Sequence, residues 1–70
     1  MLPSADYRAY AAVARAVAAE YRVEAVTEKE PRKSYLLQQA EQRDEHADFY
    51  DSRAEIAEDC ERRAEQKEAA

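Results

Sequence analysis

Few residues in this chain could carry chemistry: one histidine, His46, one cysteine, Cys60, and five tyrosines set among sixteen carboxylates. A helical metal site would need carboxylate, histidine or cysteine partners three or four residues away. Around His46 those positions hold Gln42, Arg43, Phe49 and Tyr50, none of them a good ligand. The Glu-x-x-His spacing of di-iron helical bundles is also absent. Cys60 has Ile56, Ala57, Arg63 and Ala64 as its helical neighbours and no base to make it a nucleophile. Its expected state is a packed thiol, able to cross-link two copies only beside a dimer axis. The chain has no glycine, so no loop of the usual kind can cradle phosphate. These residues predict a protein that is not an enzyme and carries no metal or cofactor.

The remaining chemistry is that of surfaces. Tyr7, Tyr10, Tyr21, Tyr35 and Tyr50 are many for a short chain. Tyrosine suits interfaces because it joins apolar area to a polar tip, and it also suits the rim of a small core. Glu20, Glu24 and Glu28 stack at a four-residue spacing, as do Glu41 with Glu45 and Glu55 with Asp59. Like charges so placed weaken an isolated helix. They form either a solvated acidic face or a surface for a basic partner.

The elements that position these residues are helices. Alanine, glutamate and arginine dominate, all helix formers, and 39% of residues are charged. Ser4 is a candidate N-cap, with Asp6 in the first turn. Nothing then breaks the helix until Pro31, which disfavours helical geometry at Glu30. The sequence predicts helix 1 at roughly 4–29, a turn at about 30–33 and helix 2 at roughly 32–67, within a single unit spanning 1–70. A kinked continuous helix is the alternative.

Two patterns favour an antiparallel hairpin. Ala11, Ala18 and Ala25 recur every seven residues, and so do Ala40, Ala47 and Ala54. The pairs Ala11/Ala54, Ala18/Ala47 and Ala25/Ala40 share one midpoint, between Arg32 and Lys33. Small residues on a heptad seam let two helix axes approach closely. Beside that seam, helix 1 carries Arg8, Arg15, Arg22 and Lys29, and helix 2 carries Leu37, Asp44, Asp51, Glu58 and Glu65. Arg8/Glu58, Arg15/Asp51 and Arg22/Asp44 are centred on Lys33, almost the alanine midpoint. Opposite signs on the two helices, in matching register, select a fold-back pairing.

The opposite flank of such a hairpin is apolar. It holds Tyr10, Val13 and Val17 from helix 1, and Phe49, Arg53, Ile56 and Cys60 from helix 2. Val17, Phe49 and Ile56 are expected to be buried by a second chain and not by their own hairpin. A second copy would complete a four-helix bundle, so a homodimer is expected; another protein's helix could fill the same face. Residues 62–70 run past the end of helix 1, as a frayed tail or a handle for a partner.

The formal net charge of -5 makes double-stranded nucleic acid a poor partner. No apolar run is long enough for a membrane span, and residues 1–4 lack the features of a signal peptide. A single cysteine fits a reducing, cytoplasmic setting. The expected function is that of a protein–protein interaction module: an adaptor, regulator or inhibitor of a host protein. The alternatives are a regulator that binds loop RNA through Arg8, Arg15, Arg22 and Lys29 or mimics DNA with its acids, and a purely structural oligomerisation module. The string Asp44-Glu45-His46-Ala47-Asp48, with Cys60 downstream, resembles one in the small plasmid copy-number regulators that bind RNA loops as four-helix dimers of hairpins. There the string opens the second helix; here it lies more than ten residues beyond Pro31, so the resemblance implies architecture alone. Alanine- and arginine-rich, lysine-poor usage fits a GC-rich genome, such as that of an actinobacterium or one of its phages.

Overall fold

The computed structural model describes residues 1–69. The chain forms two helices, α1 over Ser4–Ala25 and α2 over Arg32–Ala69, folded back on each other as a hairpin with no strand among the described residues. The result is a rod of 61 × 13 × 13 Å. Its length is that of α2, since 38 residues at the helical rise span about 57 Å.

The core is almost entirely alanine. Ala11, Ala18, Ala25, Ala40, Ala47 and Ala54 are each no more than 1% exposed. Ala14 and Ala57 join them, and Leu36, beside the turn, is the largest fully buried side chain. Methyl groups meeting methyl groups allow the close axial approach that a leucine seam would prevent. The cost is a thin core, because the apolar area hidden per residue is small.

Helix α1 stops at Ala25, four residues short of the expected Lys29. Without glycine the chain has no easy left-handed C-cap. Val26 stays right-handed at φ −55 and ψ −39. The helix tightens instead: the Val26 N–H donates to the Val23 carbonyl and the Glu28 N–H to that of Ala25. Stopping here also leaves six residues to cross between helix axes roughly 8–10 Å apart, where a helix reaching Lys29 would leave only two. The Glu30–Pro31 peptide is cis. Arg32 opens α2 and reaches back to Glu24 at 3.3 Å and Glu28 at 3.7 Å, bracing the turn.

The start of α1 also differs from the expected cap. Pro3 holds the N-cap position, and its carbonyl accepts from the N–H groups of Asp6 and Tyr7. Ser4 is the first helical residue. Its N–H and hydroxyl both donate to Oε1 of Glu61, at 3.2 and 2.9 Å. A carboxylate from α2 thus satisfies an orphan donor of α1, at the end where the helix dipole favours negative charge.

The close seam makes a definite prediction. Ala47→Leu forces extra carbons between helices already in contact and lowers stability by about 1–3 kcal/mol in urea denaturation followed by circular dichroism. Unchanged stability would mean that the helices are not this close.

Candidate functional site

The two flanks of the hairpin are chemically unlike. On one, three arginines of α1 meet acids of α2. Arg8 donates to Asp51 at 2.9 Å and to Glu58 at 3.1 Å. Arg15 donates to Asp51 at 2.5 Å and to Asp48 at 3.3 Å, and Arg22 to Asp44 at 2.5 Å. The heptad pattern pairs residues one to one and so misses the sharing: Asp51 accepts from two arginines. The hydrogen bond from Arg15, then that from Arg8, holds the Asp51 carboxyl below its ordinary pKa. The bond to Asp51 likewise raises Arg8 and Arg15 above the usual arginine value. These groups are solvated, so their worth lies in selecting register more than in stability.

The other flank is apolar and open. Val13 is 62% exposed, Phe49 54%, and Tyr10 and Ile56 48% each. Val17 is half-buried by its own hairpin, a departure from the expectation that only a second chain would cover it. Tyr50 lies half-buried in the middle, packed on Ala11, Ala14 and Ala47. The Tyr10 ring is 5.4 Å from it and the Phe49 ring 5.8 Å. The Arg53 guanidinium turns back over the Phe49 ring at 5.2 Å. The structure therefore gathers Tyr10, Phe49, Tyr50 and Arg53 into one aromatic cluster.

Cys60 is exposed, not packed as the sequence suggests. It lines an open apolar depression of about 350 Å³ with Leu2, Pro3, Ala57 and Ala64, where the start of α1 lies beside α2. Alanine neighbours are too small to cover the thiol. His46 is exposed too, and no group of three or more potential ligands gathers among the described residues. Val23 and Val26 are 73% and 75% exposed near the turn, outside the seam pattern. No described helix is long and apolar enough to cross a membrane. Comparison with known protein families, curated proteins and solved structures returned no match.

The charged flank can be tested in two ways. Arg15→Glu should destabilise the hairpin, and adding Asp51→Arg should restore most of the loss, with a coupling that fades as salt rises toward 1 M. A cycle with no coupling at low salt would contradict the pairing. The depressed Asp51 carboxyl adds stability at pH values above its unfolded pKa of about 3.9, lost as pH falls through the lower folded value. Asp51→Asn should therefore flatten part of the acid limb of a thermal-stability profile between about pH 5 and pH 2.

Proposed function

We propose that the protein is a non-enzymatic protein–protein interaction module, an adaptor or regulator whose working face is the apolar flank. The carrying observation is an inversion of size. The described core is eight alanines and one leucine, whereas Val13, Phe49, Ile56 and Tyr10 stand about half exposed or more. Covering a side chain of this size contributes roughly 1.5–3 kcal/mol, comparable to all that so small a core can supply.

A second hairpin has the shape to cover the face, since two helices laid on two helices give a four-helix bundle. The protein on this reading is a homodimer. Acids on the outer surfaces, including Glu41, Glu45 and Glu55, remain available to a basic partner protein. The RNA-binding alternative has less support, because Arg8, Arg15 and Arg22 are already bound to carboxylates that RNA would have to displace.

Sedimentation equilibrium tests the pairing. The parent should be dimeric at micromolar concentration, and Phe49→Asp should yield a monomer or an unfolded chain. A parent that stays a stable monomer at high micromolar concentration would exclude the homodimer.

A further inference from the structure

We propose that the second copy docks antiparallel, about a two-fold axis crossing the rod level with Ala54 and Glu55, so that the C-terminal overhang of each copy covers the acidic turn end of the other. This inference rests on the pairing proposed above and fixes its geometry. The ion pairs place Arg15 level with Asp51 and Arg22 level with Asp44. The same register sets Glu20 level with His46, and Glu24 level with Gln42. Along the flank side, α1 therefore runs from Tyr10 and Val13 to Glu20 and Glu24 at the turn. On that side α2 runs from Phe49 and Ile56 to Arg63 and Lys67 in the overhang. The face is apolar in the middle, acidic at one end and basic at the other.

A two-fold axis makes a surface meet itself, so only a self-complementary arrangement is favourable. If the axis ran along the rod, Glu24 would share a level with Glu24 of the other copy, and Lys67 with Lys67. With the axis across the rod, opposite charges share a level. Arg63 then lies level with Glu20 of the other copy and Lys67 with Glu24. Both matches hold at once because each pair is spaced by four residues. Within the chain Arg63 bonds Asp59 at 3.1 Å and Glu24 bonds Arg32 at 3.3 Å. All four groups are at least partly exposed, so these bonds can be shared across an interface.

The apolar middle fits the same axis. Tyr10 meets Val13 of the other copy, and Ile56 meets the Arg53 stem. Phe49 lies level with Cys60 of the other copy, over the depression bounded by Leu2, Pro3, Ala57 and Ala64. Arg53, the charge of the apolar flank nearest the axis, is already turned away over Phe49. The two Cys60 residues stand about 16 Å apart along the rod, beyond disulfide reach.

Charge reversal on the full chain tests the arrangement. Sedimentation equilibrium at low salt should show the dimer Kd weakened about tenfold by Glu20→Lys with Glu24→Lys, and similarly by Arg63→Glu with Lys67→Glu. The four-fold variant should return to within about threefold of the parent. Circular dichroism verifies that each variant remains helical. Reversals that leave Kd unchanged, or a four-fold variant that fails to recover, would overturn the antiparallel register while leaving a parent dimer intact. Rapid Cys60–Cys60 cross-linking under mild oxidation would overturn it as well. A monomeric parent would remove the pairing itself.

Discussion

The alanine seam is the constraint on which the rest of the structure depends. Two helices that touch through Ala11, Ala18 and Ala25 against Ala40, Ala47 and Ala54 leave no room for a large side chain between them. Apart from Leu36 beside the turn, larger apolar groups must lie to the side, and Val13, Phe49 and Ile56 do. The same closeness brings arginine and carboxylate rows into direct contact across one flank, where register is chosen. The other flank is left with more apolar surface than the seam itself buries in large side chains. Thin core and open face are two consequences of one choice of residue.

Charge then orders what packing leaves degenerate. An alanine seam is nearly featureless, so slipping it by one heptad would cost little packing. Arg8, Arg15 and Arg22 set the direction and phase of the pairing, but a slip of one heptad would offer them Glu65, Glu58 and Asp51 instead, so the choice of heptad falls to the ends. The link from Ser4 to Glu61 pins the open end, and the links from Arg32 to Glu24 and Glu28 pin the turn. Individually weak bonds placed at both ends and the middle of a rod fix its register together.

Much of this was legible in the sequence because heptad spacing and charge sign both survive without coordinates. The shared midpoint beside Pro31 is enough to argue a hairpin against a kinked rod. The end of α1 at Ala25 has no local signal in the sequence. Helix propensity runs on through residues 26–29, but the chain needs length to cross between axes, a global demand invisible in a local window. The cap at Pro3 was hidden for a similar reason: Ser4 has the residue type of an N-cap, yet its donors are met by Glu61 from a distant part of the chain. Val17 and Cys60 show the limit of a helical wheel. Both sit on the same flank, but Val17 lies where two helices run side by side, and Cys60 lies near the start of α1, among alanines too small to cover it.

A hairpin whose own core is this thin should depend on the partner that covers its apolar face. The direct measurement is thermal melting by circular dichroism over a hundredfold range of protein concentration. The account predicts that Tm rises with concentration, since association stabilises the folded chain by mass action. A Tm that stays constant across that range would show the hairpin to be stable alone, and would contradict the account.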